Sequence, residues 1–253
     1  MSKNLIEVFG IPQLKDNYSY LIKSNKDVII IDPAESNSII KYVEEKDLNI
    51  KYILLTHHHS DHTMGVKDIL EHTSVPVYSP NPNIKETSVI INNEDILDLK
   101  FIEFEVIESP GHTLDHVVFY SKKNNILFSG DLLFRLGCGR VFEGTYLQMF
   151  NSLKKINSLS DKTQVYCGHE YTSTNMKFLM KVFPDFINLI DEKKIINQEL
   201  LEKKSSIPFN LGKEKIINPF LSTKSSYFDN FKKINNYSDI EMFSYLRDLK
   251  NNF

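Results

Sequence analysis

The stretch KYILLTHHHSDH, residues 51–62, passes from an apolar run straight into four of the chain's eight histidines and an aspartate. KYILLT is short, carries β-branched and aromatic residues and stops at a polar one, which predicts a strand. His57, His59, Asp61 and His62 then occupy the loop at the carboxyl end of that strand, where α/β proteins place their sites. An extended or loop backbone sends alternate side chains the same way, so His57 and His59 converge while His58 faces elsewhere. Neutral imidazole together with carboxylate suits zinc or another borderline first-row metal.

Outward from this point the same texture repeats. YLI (20–22), DVIIID (27–32), VPVYS (75–79), FEVIES (104–109), HVVFYS (116–121), NILFSGD (125–131) and QVYCG (164–168) all read as strands bounded by turn or polar residues. Helical periods fall between them at residues 36–46, 64–72 and 146–159. Two series of strands with intervening helices predict a layered α/β sandwich. Past Thr172 the period turns helical, with no strand-like run, so residues 1–173 are expected as the main domain and 174–253 as a smaller all-helical one.

Composition narrows the class. With 253 residues, 41% of them hydrophobic, the chain can bury a full core. A net charge of -3 gives no bulk electrostatic reason to expect nucleic acid or an acidic membrane as partner. Two cysteines, Cys138 and Cys167, are too few for a disulfide framework, and no apolar run reaches a membrane span. The first residues lack a secretory apolar region, so a cytoplasmic protein is expected. Nothing suggests an assembly, which makes a monomer the default.

Three more polar residues follow strand-like runs: His112 after FEVIESPG, Asp131 after NILFSG and His169 after QVYCG. Together with the first cluster they make five histidines and two aspartates. That is enough for two metals with three terminal ligands each and one shared carboxylate, with coordination space left for solvent. Asp32, which ends DVIIID, is either a carboxylate supporting the ligands or a buried turn acceptor.

H-x-H-x-D-H followed by separate His, Asp and His resembles the metallo-β-lactamase superfamily over most of residues 1–173. GCGRVFEGT (137–145), CGHEYT (167–172) and R-x-x-K at Arg247 to Lys250 are similar to glyoxalase II, the hydroxyacylglutathione hydrolases. The resemblance implies an αββα sandwich with a helical C-terminal domain. It also implies two divalent metal ions, zinc first with iron or manganese as alternatives. Carried onto matching positions, one ion falls to His57, His59 and His112 and the other to Asp61, His62 and His169, with Asp131 bridging. The implied reaction is hydrolysis of S-(2-hydroxyacyl)glutathione, S-D-lactoylglutathione above all, by hydroxide from a solvent shared by the cations. Asp61 and Asp131 would keep that hydroxide nucleophilic.

Substrate recognition rests on scarce arginines. Only Arg135, Arg140 and Arg247 occur among 30 basic residues, and Arg suits planar carboxylate recognition. Arg140, Arg247 and Lys250 are expected to clamp the glutathione carboxylates, with Tyr171, Asn175 and Phe142 against its peptide part. Departures from the family pattern are Asp115, Leu132, Phe142 and Arg135. Competing readings are another hydrolase or an iron-dependent sulfur dioxygenase on this scaffold, and a non-catalytic metal-binding module. His58, His72 and His116 are assigned to packing, helix surface or support of the ligands. Cysteine catalysis through Cys138 lacks a histidine partner, and Cys167 reads as a core residue.

Overall fold

In the computed structural model, residues 5–221 and 225–253 are described. They form two compact units: residues up to Glu108 with Asp115–Asn124, and Ser109–Leu114 with Asn125–Phe253.

The first unit is organised by apolar strands. β1 (Glu7–Gln13), β2 (Asn17–Ser24), β3 (Asp27–Ile31), β4 (Asn49–Leu54), β5 (Val77–Ser79) and β6 (Val89–Ile90) make one sheet in that order. The first two pairings are antiparallel and the rest parallel. Val28, Ile29, Ile30 and Ile31 are all buried, the unbroken apolar run of a strand covered on both faces. Parallel neighbours need a crossover, supplied by α1 (Asn37–Glu45) and by α2 (Ser60–Thr63) with α3 (Val66–His72). Ile39 and Val43 of α1, one turn apart, and Val66 and Ile69 of α3 join Val28, Ile30, Ile53 and Leu55 in one core. Three further strands, β7 (Ile96–Asp98), β8 (Glu103–Glu108) and β9 (Val117–Ser121), pair antiparallel in sequence order.

In the second unit β10 (Ile126–Gly130) lies parallel to β13 (Gln164–Cys167). Between them come a small hairpin, β11 (Leu133–Phe134) with β12 (Gly137–Cys138), and the helix α4 (Tyr146–Asn157). Thr145 and Gln148 close α4 with a capping box. Beyond β13 follow α5 (Thr172–Val182), α6 (Ile187–Lys203), the two-residue strand β14 (Phe209–Asn210), α7 (Leu211–Ile217), α8 (Ser226–Asn235) and α9 (Asp239–Asn251). Ser238 and Glu241 cap α9 in the same way, and Phe243 of α9 packs on Phe150 of α4 and on Phe220.

All eight strand-like runs are strands, and the three early helices lie within two residues of their expected bounds. β14 is an addition to the helical stretch: it pairs antiparallel with β13, a pairing of two residues that no periodic run announces. β1 was also illegible, because an edge strand carrying Gly10 and Pro12 and half exposed has no apolar alternation to read.

Candidate metal centre

In the first unit β3 and β4 end side by side, Ile31 against Leu54, and each hands over to a loop. Asp32 follows β3 with φ 49°, a left-handed conformation that aspartate tolerates better than bulkier residues. Only 3% exposed, its carboxylate takes the Thr56 N–H at 2.8 Å and the Thr56 hydroxyl at 2.7 Å, and lies 3.0 Å from His62 Nδ1. Both sequence readings of Asp32 are therefore realised at once: it is a turn acceptor and a support of a histidine.

These contacts assign tautomers. A threonine hydroxyl has one proton, and here it goes to the Asp32 carboxylate. The Thr56 oxygen must then accept from His57 Nδ1, 3.0 Å away, so Nε2 is the lone-pair nitrogen of His57. His62 Nδ1 likewise donates to Asp32, which leaves its lone pair on Nε2. The rings of His57 and His62 are 4.3 Å apart and those of His57 and His59 4.7 Å, so the structure brings these three histidines together. Asp61 is steadied by Asn17, whose amide donates to its side chain at 3.0 Å and its carbonyl at 3.1 Å.

In the second unit Asp131, at the end of β10, is the hub. His112 Nε2 lies 3.4 Å and His169 Nε2 3.3 Å from the same oxygen, Oδ2. His112 Nδ1 donates to the Arg140 carbonyl at 2.8 Å, so its lone pair also sits on Nε2. The loop that returns to Asp131 needs glycine at 139, where a Cβ would fall 1.8 Å from the Asp131 carbonyl oxygen. His169 lies nearly parallel to Tyr171, with ring centroids 4.7 Å apart and an interplanar angle of 6°, and Phe134 meets both rings edge-on.

Each unit's donors fit first-row divalent cations: His57 and His62 in the first unit and His112 in the second have Nδ1 engaged by oxygen and Nε2 unprotonated, and each unit contributes one aspartate, Asp61 or Asp131. The remaining histidines are otherwise employed. His58 pairs with Asp115 at 2.9 Å, His116 packs beside His57, and His72 lies on an exposed helix turn against the Asp68 carbonyl. The departure at Asp115 thus has a partner, and Asn81 donates to it as well.

The residues expected at the substrate divide. Phe142 is 58% exposed with the Arg140 guanidinium 5.3 Å over its ring. Arg247 is 4% exposed; its Nη1 donates to the Cys138 carbonyl at 2.9 Å and approaches the Gly139 carbonyl at 3.4 Å. One turn on, Lys250 lies over the Phe178 ring, and burial, aided by the nearby Arg247 charge, lowers its pKa to about 8. Asn175 is 1% exposed and its amide donates to the Arg135 carbonyl at 2.8 Å. Burial raises the Cys138 thiol above its ordinary value, which argues against a thiolate nucleophile. Thr56, Asn17 and Phe134 escaped sequence reading. Thr56 alone left a signal, its position at a strand end directly before His57.

Two family models cover the chain: that of the metallo-beta-lactamase superfamily matches residues 14–169, and that of the hydroxyacylglutathione hydrolase C-terminus matches residues 170–253. A hydroxyacylglutathione hydrolase of Pelagibacter ubique (strain HTCC1062) is 41% identical over 98% of this chain and 100% of its own. One from Nitrosomonas eutropha is 36% identical over the same shares. Among solved structures, BLEG-1 B3 metallo-beta-lactamase matches with a TM-score of 0.65 at 23% identity, covering 85% of this chain and 100% of that one. TTHA1623 in a di-iron-bound form matches with a TM-score of 0.62 at 25% identity, covering 84% and 100%. The fold is therefore the metallo-β-lactamase α/β sandwich followed by a helical region.

Proposed function

The chain belongs to the hydroxyacylglutathione hydrolase family within the metallo-beta-lactamase superfamily, and from that membership we propose how it hydrolyses S-(2-hydroxyacyl)glutathione thioesters, S-D-lactoylglutathione foremost, to glutathione and a 2-hydroxy acid. The superfamily implies a dinuclear divalent-metal site. His57, His59 and His112 would hold one ion, Asp61, His62 and His169 the other, and Asp131 both. When bound, such a pair lowers the pKa of a water toward neutrality and polarises the thioester carbonyl. Zinc is the proposed metal; the di-iron form of TTHA1623 supports iron as an alternative.

The chain's own residues do the rest. Asp32 and Thr56 hold His57 and His62 in the tautomer whose Nε2 can ligate. Asp131 supplies negative charge between His112 and His169. Arg140, Arg247 and Lys250 meet the carboxylates of the glutathione moiety, and Tyr171 and Phe142 flank its peptide part. Asn175 borders that peptide part as well and keeps the loop at Arg135 in place. The division into residues 1–173 for catalysis and 174–253 for substrate binding is part of the same reading. So is a cytoplasmic monomer acting on a small thioester without nucleic acid or membrane. Cys138 and Cys167 are both buried and not joined in a disulfide, which supports a reducing compartment.

The observation that carries the reading is the 41% identity to a hydroxyacylglutathione hydrolase along nearly the whole chain. Its test is steady-state hydrolysis of S-D-lactoylglutathione against a plain acyl thioester lacking glutathione, with metal content measured alongside. Preference for the glutathione thioester, lost when metal is chelated, is expected. Equal rates on both thioesters would overturn the glutathione assignment, and undiminished rates without metal would overturn the mechanism.

A further inference from the structure

His169 and Tyr171 stack on one side of the chain, while Glu170 between them reaches a different partner. That partner is Ser206, in the segment that joins α6 to β14. The Ser206 N–H donates to Glu170 Oε2 at 2.8 Å and its hydroxyl to Oε1 at 2.6 Å, so one residue grips both oxygens of one carboxylate. The Thr172 hydroxyl, 2.6 Å from the Ser206 hydroxyl, must be the donor in that contact, because the serine proton already goes to Glu170.

Ser206 is held from behind by the arginine that departs from the family pattern. Arg135 Nη1 donates to the Ser206 carbonyl at 2.8 Å and to Glu199 at 2.6 Å, and Nη2 donates to Glu192 at 2.5 Å. Both glutamates lie on α6, and Arg135, Ser206 and Glu192 are buried. A buried guanidinium shared by two carboxylates and a carbonyl has little freedom, since leaving any one of them gives up a hydrogen bond in a site shielded from water. Three residues further on, β14 pairs with β13, the strand that leads into His169. The segment is therefore fastened on both sides of residue 206.

We propose that Ser206, oriented by Arg135, is a positioning residue for the metal centre and the substrate side together: its double hold on Glu170 sets the aim of His169 and Tyr171, the residues on either side. The inference rests on the proposed roles of those two residues. Arrangements that orient a metal ligand are commonly worth about 10–100-fold in metal affinity. Acting one residue away from the ligand, this one belongs at the lower end of that range.

The test uses the full chain with metal removed and restored. Ser206→Ala deletes the hydroxyl, Ser206→Thr keeps it, and cobalt affinity is read by chelator competition and by the visible spectrum of the bound ion. Ser206→Ala is expected to weaken cobalt binding about tenfold, to alter the visible spectrum and to raise KM, whereas Ser206→Thr recovers most of the affinity. Unchanged affinity in Ser206→Ala, or a threonine variant no better than the alanine one, overturns the proposal. Should the alanine variant not be recovered folded, Glu170→Gln keeps the volume and removes the charge: weakened cobalt binding supports the proposal and wild-type binding overturns it. Failure of the wild-type protein to hydrolyse the glutathione thioester would count against the proposed function alone, because the cobalt measurements need no substrate.

Discussion

His62 Nδ1 lies 3.0 Å from Asp32 Oδ2, both residues are buried, and the same carboxylate oxygen takes the Thr56 hydroxyl. One acceptor thus dictates the tautomer of two histidines, His62 directly and His57 through Thr56. Asp32→Asn retains a side chain suited to the left-handed backbone but turns an acceptor into a donor. Metal affinity is expected to fall about 10–100-fold. Chelator competition on the purified variant measures it, and wild-type affinity would refute the tautomer argument.

Asp131 stands between His112 and His169, within 3.4 Å of each Nε2. Asp131→Ala is expected to abolish turnover together with bound metal, and His59→Ala to do the same. Elemental analysis beside the thioesterase assay checks both. Wild-type turnover in an Asp131 variant stripped of metal would remove the hydroxide mechanism.

Arg247 is a structural donor as well as a candidate carboxylate partner, because its guanidinium is turned into the carbonyls of Cys138 and Gly139. Arg247→Ala leaves buried acceptors unsatisfied, so unfolding free energy should drop by about 1–3 kcal/mol while KM for the glutathione thioester rises more than kcat falls. Arg247→Lys restores the charge without the planar fork and should recover only part of either effect. Urea unfolding and steady-state kinetics separate the two roles. A raised KM with wild-type stability would mean that the carbonyl contacts carry no weight.

Glu214 is buried beneath the β11–β12 hairpin, accepting from Leu136 N–H at 2.8 Å and from the Asn218 amide at 2.9 Å. Burial raises its pKa to about 7 from an ordinary 4.5, against the lowering effect of those donors. The folded chain therefore binds a proton that the unfolded chain releases between these values. This contribution is fully present below pH 4.5 and is lost as pH rises through 7. Glu214→Gln should flatten that part of the stability profile. Denaturant midpoints of both proteins at pH 5 and pH 7.5 decide it, and identical slopes would reject the assignment.

What could be read from the sequence was whatever a few neighbouring residues decide. KYILLT and NILFSG announce strands because burial on a pleated surface selects β-branched and aromatic side chains locally. The histidines and aspartates stand out because each follows such a run, and His57, His59 and His62 do gather, as His112, Asp131 and His169 do. Which way a helix face turns cannot be read from the sequence distance between Asn175 and His169, and the fold turns the Asn175 amide onto the Arg135 carbonyl.

Tertiary structure alone decided the rest. Asp32 lies 24 residues from Thr56 and 30 from His62, Asn17 lies 44 from Asp61, and Ser206 lies 36 from Glu170. Those pairs carry no local periodicity, since a hydrogen bond depends on donor and acceptor meeting within about 3 Å, and only strand register and loop closure bring them there. The chain's letters determined which residues could ligate a metal; the fold determined which nitrogen of His57, His62 and His112 carries the lone pair to do so.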